Sequence, residues 1–257
     1  MKINQAFTIL QRAGGIRAAR IITENQKNLS LIRVRYMAWQ LRRGVPVAKI
    51  IHQKWFYGLP FYTNRHTLDP RPDTETLVAA VIADCADAHP RRVLDLGTGT
   101  GCVIISLVKN ITGMSGVAVE KSHAAARVAY RNVRQLVPGR VRILRRSFAC
   151  CDIPGAPFDI IVSNPPYIAR GDTRVDAGAM HDPAAALYAG DNGLAAYKII
   201  AKNARAWLQD GGKIYLEIGE GQDSAVRKIF ESAGWRFVRP EQDLAGIIRV
   251  LIFEKQG

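Results

Sequence analysis

An α/β fold built on a seven-stranded, mostly parallel sheet, with a small helical segment ahead of it, is predicted for this chain by three observations. From Arg92 onward, short apolar runs alternate with helical stretches, as they do where strands are joined by crossover helices. The first of these runs ends in the glycine-rich turn "GTGTG". Charge is also uneven: residues 1–66 hold 12 basic side chains and one acid, Glu24, a net +11, against +3 for the remainder. Two parts are therefore expected, a basic helical docking segment over residues 1–60 and a sheet domain over 61–257.

Each element has a local cause. Ile3 to Leu41 is helical in pattern, with Ile21, Ile22, Leu29, Ile32, Tyr36 and Trp39 spaced as if on one buried face and Gly14-Gly15 as punctuation. "KWFYGLPFYTN" is aromatic and turn-rich, which suits a short hairpin. "RPDTETLVAAVIADCADA" opens a helix, with Pro72 at its entry and acids in the first turn. Strands follow at "RVLDLG", "GVAVE", "VRILR", "FDIIVSN", "GKIYLEI", "WRFV" and "IRVLIF", with helices from about Cys102, from Ser122, over 192–208 and over 222–233. The last two strands have no helix between them, so one of them runs antiparallel.

Composition removes several classes. With 48% hydrophobic and 23% charged residues the chain is neither disordered nor fibrous. Its longest apolar stretch, "VIISLVKNITGMSGVAV", is interrupted by Lys109, Asn110 and Thr112, short of the roughly 20 residues a bilayer span needs. Cys85, Cys102, Cys150 and Cys151 have neither disulfide-framework nor zinc spacing and read as reduced thiols, and the five histidines show no paired ligand spacing, so no metal is expected. A bacterial cytoplasm fits these features. An Arg-bearing, nearly acid-free first 28 residues also resembles a mitochondrial presequence, which would place a eukaryotic version in the matrix.

The chemistry concentrates in three motifs. "VLDLGTGTG" puts Gly97, Thr98, Gly99, Thr100 and Gly101 between a strand and a helix, where bare backbone and free N–H groups accept a nucleotide-like ligand. Cys102 stands where a dinucleotide fingerprint has its third glycine. Glu120, ending the next strand, is placed to accept from ribose hydroxyls. "IIVSNPPYIA" ends a buried strand on Asn164, Pro165, Pro166 and Tyr167. The Asn164 side-chain oxygen and the Pro165 carbonyl can accept both N–H bonds of a planar amino group, the prolines stiffen the turn, and Tyr167 can pack on that group.

Together "DLGTGTG" and "NPPY" resemble S-adenosylmethionine-dependent methyltransferases acting on planar amino nitrogens. With "LDPRPDTETLV", "HDPAAALYAGDNGLAAYKII" and "EIGEGQ" the chain resembles the release factor glutamine methyltransferase family over roughly residues 40–253. That resemblance implies a Rossmann-like class I methyltransferase fold with S-adenosyl-L-methionine held by Gly97–Gly101, Glu120 and Phe148. Asn164 would touch both ligands, and Asn164 to Tyr167 would grip the glutamine amide of a peptide chain release factor. Arg71 and Glu75 would close the site. Ser147 replaces the acid usual before the aromatic, Glu120 the usual Asp, and Asp182 the usual Glu. A monomer is expected, with a ribosome or RNA contact open to the basic segment. The alternative is methylation of a nucleic-acid base, rRNA guanine or DNA adenine. That alternative draws on the same NPPY logic and on "RVAYRNVRQLVPGRVRILRR", seven arginines without an acid.

Overall fold

A computed structural model describes residues 1–26, 28–86, 91–149, 152–172 and 177–256. Cys150 and Cys151 lie outside the described residues, while Cys85 and Cys102 are free and buried. Two helices, α1 (Ile3–Asn25) and α2 (Leu31–Arg42), pack on each other and on the short α3 (Val47–Ile51). α1 continues through a kink at Gly15, whose φ of 84° suits glycine. The core of this part is Ala6, Leu10, Ala19, Ile22, Val34, Met37, Ala38 and Ile50. The expected apolar face is therefore only partly right. Ile22 is buried, but Ile32, Tyr36 and Trp39 point outward, because α2 turns Val34, Met37 and Ala38 inward instead.

A hairpin, β1 (Gln53–Phe56) and β2 (Leu59–Tyr62), follows. Phe56 and Phe61 are buried with α4 (Glu75–Asp84) and α5 (Cys102–Asn110) in the core on one face of the large sheet. Asn132 secures that docking: its Oδ1 accepts from the Tyr62 N–H at 2.9 Å, and its Nδ2 donates to the carbonyls of Tyr62 and Thr100. One buried amide thus joins the hairpin, helix α6 (His123–Leu136) and the glycine turn.

The large sheet is formed by β3 (Arg92–Leu96), β4 (Ser115–Val119), β5 (Val141–Leu144), β6 (Phe158–Ser163), β9 (Leu208–Glu217), β10 (Trp235–Gln242) and β11 (Ile248–Lys255), ordered β10-β11-β9-β6-β3-β4-β5. Only β11 runs against its neighbours, pairing antiparallel with both β9 and β10. A two-stranded parallel pair, β7 (Ile168–Ala169) and β8 (Tyr188–Ala189), follows the NPPY turn, and the four-residue α7 (Ala184–Leu187) leads into β8. The helix expected over 192–208 ends earlier: α8 (Ala195–Asn203) passes through a short 3-10 turn, and Leu208 already begins β9. α9 (Asp223–Ser232) packs with α8 over the second core, around Trp207, Phe230 and Phe253.

Replacing Asn132 by Leu keeps the branched shape of the side chain and strands three backbone groups without partners. A stability loss of about 3 kcal/mol is expected, read from the urea midpoint. A loss below about 1 kcal/mol would mean the hairpin is held by its aromatic core alone.

Candidate active site

The register of the central strands assembles the site. Leu96 pairs with Val119 of β4, and Asp95 with Val162 of β6. One step further along, Gly97, Glu120 and Asn164 fall side by side at the carboxyl ends of three adjacent strands. Strands lie about 4.8 Å apart, so Glu120 and Asn164 flank the glycine turn at about 10 Å from each other. In an open parallel sheet this edge is where ligands sit.

The turn is bare backbone. Gly97, Gly99 and Gly101 have φ of 79°, 57° and 83°, and a Cβ at Gly99 would meet nothing within 4 Å. The Gly97 and Thr98 N–H groups donate to the Val119 carbonyl, and Glu120 fastens the loop, Oε2 accepting from Gly99 at 3.1 Å and Oε1 from Ser122 at 2.8 Å. Each carboxylate oxygen retains a free lone pair. Asp95 sits below the turn, accepting from the Thr98 hydroxyl at 2.6 Å. Burial, helped by the nearby Glu120 charge, pushes its carboxyl up to about 7 even though the Thr98 and Ile104 donors pull it down.

One cavity is lined by Gly97, Thr98, Gly99, Thr100, Glu120 and Phe148 on one side and by Arg71, Thr74, Asn164 and Pro166 on the other. Of the residues singled out from sequence, Gly101, Glu75, Pro165 and Tyr167 do not line it. Gly101 caps α5. Glu75 does not close the site: its Oε1 accepts from the Tyr57 N–H at 2.7 Å, tying α4 to the hairpin. Tyr167 does not present its ring to the cavity either. Its hydroxyl faces Glu217 at 3.4 Å, and its carbonyl accepts from Gln222, which also receives the Gly219 N–H. The EIGEGQ segment therefore pins the far end of the NPPY turn.

Two features escaped sequence reasoning. Asp95 was hidden inside the apolar run VLDLG, although an acid there is itself a signal. Lys49, from α3, is buried behind the wall at Thr67–Arg71 and ion-pairs with Asp69 at 2.9 Å and Asp182 at 2.8 Å. Its ammonium also donates to the carbonyls of Asn64 and Thr67. Asp182 in turn holds Arg71 at 2.8 Å. Among the described residues, no cluster of metal-ligating side chains is found. No helix among them is long and apolar enough to cross a membrane.

The residues present fit S-adenosylmethionine. An unobstructed glycine turn can take the amino-acid portion, paired lone pairs on Glu120 can take a vicinal diol, and Phe148 offers an apolar ring beside Gly97. Fold and site together define an α/β methyltransferase. The family model for the methyltransferase small domain matches residues 71–233. A methyltransferase structure from Pyrococcus furiosus superposes with a TM-score of 0.59 at 17% identity, covering 88% of this chain and 98% of that one, a likeness of fold. A release factor glutamine methyltransferase of Burkholderia pseudomallei is 37% identical over 253 residues, 95% of this chain and 89% of its own length. Another from Salmonella typhimurium is 38% identical, covering 81% of this chain and 75% of its own. The chain belongs to the release factor glutamine methyltransferase family.

Because folding raises Asp95 above its ordinary value of 3.8 to about 7, the folded chain keeps a proton that the unfolded chain releases. This group therefore withdraws stability as pH rises through that window. Between pH 4 and pH 8 the stability of Asp95→Asn relative to wild type is expected to shift in the variant's favour by about 1–3 kcal/mol, measured by urea denaturation of the ligand-free protein. A pH-independent difference contradicts this.

Proposed function

We propose that the protein transfers a methyl group from S-adenosylmethionine to the N5 side-chain amide nitrogen of the glutamine in the glycine-glycine-glutamine loop of peptide chain release factors. The observation that carries this is the placement of Asn164, which ends β6 and opens onto the same cavity as the glycine turn and Glu120. When bound, S-adenosylmethionine supplies an electrophilic methyl group. Gly97 to Thr100, Glu120 and Phe148 hold that donor. An amide nitrogen is a poor nucleophile because its lone pair is delocalised into the carbonyl. The Asn164 side-chain oxygen accepts from its N–H, which raises electron density on nitrogen and fixes its direction, so positioning and electrostatics carry most of the rate. Pro166 stiffens the turn, Tyr167 braces it from behind, and Arg71 shapes the opposite wall. The proton displaced by methylation leaves to water.

The basic helices α1–α3 serve as the docking part, drawn to an acidic face of the release factor, with the protein acting as a monomer in the cytoplasm. The arginine run offers less to nucleic acid than its charge suggests. The Arg131 guanidinium lies 3.7 Å over the Tyr62 ring, Arg140 donates to the Ile111 and Met114 carbonyls, and Arg146 pairs with Asp152.

Incubation with methyl-labelled S-adenosylmethionine and purified release factor, rRNA or DNA is expected to label the release factor at glutamine. Label in nucleic acid alone would overturn the assignment. Asn164→Ala is expected to lower turnover at least about 100-fold while leaving donor affinity within a few-fold, read by single-turnover methylation and calorimetric titration. Equal loss of affinity and rate would remove Asn164 from its role.

A further inference from the structure

The cavity wall that carries Arg71 is built without regular structure. Residues 66–71 line the cavity in unbroken succession, yet none of them belongs to a helix or strand. What orders them is a buried charge from another part of the chain. The Lys49 ammonium donates to the Asn64 carbonyl at 2.8 Å and to the Thr67 carbonyl, and it sits 2.9 Å from Asp69 Oδ1 and 2.8 Å from Asp182 Oδ1. The Thr63 hydroxyl donates to the same Asp69 oxygen at 2.5 Å. Asp182 divides its oxygens between two cations, Oδ1 against Lys49 and Oδ2 accepting from Arg71 at 2.8 Å. Two cations thus balance two carboxylates. Of the four side chains Arg71 is the most exposed, at 34%, and it lines the cavity with Thr74 and Asn164.

A carboxylate held at one oxygen can rotate about its Cβ–Cγ bond, whereas one held at both has a single setting. Asp182 Oδ1 accepts no aligned hydrogen bond among the described residues, so the charge of the ammonium restrains it. Both groups are buried, and that attraction is little screened. Arg71 therefore takes its aim from Lys49 through Asp182. Lys49 in turn takes its place from the helices. The next residue, Ile50, is buried in the core shared with α1 and α2, and a Cβ at Gly44, just past α2, would lie 3.5 Å from His181, the chain neighbour of Asp182. We propose that Lys49 is a positioning residue that aims Arg71 for the methyl-accepting substrate, by holding residues 66–71 and Asp182, and that it ties this wall to the seating of α1–α3. The inference deepens the proposed methyl transfer and rests on the reading that the accepting amide enters on the Asn164 side of the cavity. A misplacement of about 1 Å in such a wall is enough to cost rate.

The first test needs neither variant nor substrate. The Thr67 amide donates to the Asn64 carbonyl, and the Lys49 and Ile50 amides donate to the Pro46 carbonyl. In native-state hydrogen exchange of the free protein at low denaturant these amides are expected to open as one unit, with the same denaturant dependence. Separate openings of α3 and the wall overturn the inference whatever the substrate proves to be. The second test uses release factor as substrate. Lys49→Met alone would strand two buried carboxylates, so Asp69→Asn is added, which leaves Arg71 and Asp182 as a balanced pair. This double variant is expected to lower kcat/KM for the release factor about tenfold, with KM for S-adenosylmethionine within about threefold. In an Arg71→Met background the same two substitutions are expected to cost less than about twofold more, because Lys49 acts through Arg71. An unchanged kcat/KM in the double variant, an equal loss on the methyl-donor side, or losses that multiply in full with Arg71→Met overturns the inference. Failure of wild type to label the release factor would count against the proposed substrate, and the exchange measurement would still decide the link between α3 and the wall.

Discussion

The in-register parallel pairing of β3 with β4 on one side and β6 on the other is the constraint on which the site depends. Side chains alternate along each strand, so a slip of one residue at either pairing would turn the wrong face of a strand end toward the ligand. The registers Leu96 to Val119 and Asp95 to Val162 hold because all three strands are buried on both faces, by Val93 and Ile160 toward one core and by Leu94, Val117 and Ile161 toward the other. Side-chain ties add to this at the ligand edge. The Ser163 hydroxyl donates to the Leu96 carbonyl at 2.7 Å, and Glu120 clasps the Gly99 N–H. The core thus sets the spacing between the glycine turn, Glu120 and Asn164 before any ligand arrives.

The opposite wall of the cavity is hung from a different part of the chain. Residues 67–71 and 183–186 contribute to it, and neither stretch lies in the large sheet. Their position is determined by Lys49, buried against Asp69 and Asp182, with Arg71 completing the cluster. Burying an ammonium is tolerable only because two carboxylates and two carbonyls surround it. Removing one partner of such a cluster leaves a buried charge without compensation, so the cluster specifies geometry more than it adds stability. A cation carried by α3 therefore shapes this wall, and any displacement of the N-terminal helices would be felt at Arg71.

The sheet was legible because its signals are local and repeated: an apolar strand run, a turn residue and, after four of the seven strands, a helix. The glycine turn and NPPY were legible for the same reason, each being a contiguous stretch whose residue types suit few other purposes. What the sequence did not reveal depends on contacts between distant segments. Nothing near Ile32, Tyr36 or Trp39 says that Val34, Met37 and Ala38 face α1 instead, since both sets recur at helical spacing. Glu75 looks like a first-turn acid poised at the site, and only the hairpin's arrival at Tyr57 assigns its carboxylate elsewhere. The placement of Tyr167 likewise follows from Glu217, 50 residues later. Motif reading located the site, whereas the roles of side chains within it were settled by partners that no motif contains.

Electrostatics divides the molecule in a way that suits a two-ligand reaction. The chain carries +14 overall, most of it on residues 1–66, yet the edge of the sheet that faces the donor site gathers the buried acids Asp95 and Glu120. A basic exterior raises the encounter rate with an acidic partner, and that attraction is screened within about 8 Å at physiological salt. It therefore acts on approach and not on the chemistry. Inside the cavity, screening by salt is weak and the two carboxylates favour a ligand bearing positive charge, as a sulfonium does. Binding such a ligand also offsets the desolvation that lifts Asp95 to about 7, so donor binding should lower that pKa and release a proton. The carboxyl of Asp95, which withdraws stability from the empty protein, thereby strengthens its preference for the methyl donor over the neutral thioether product.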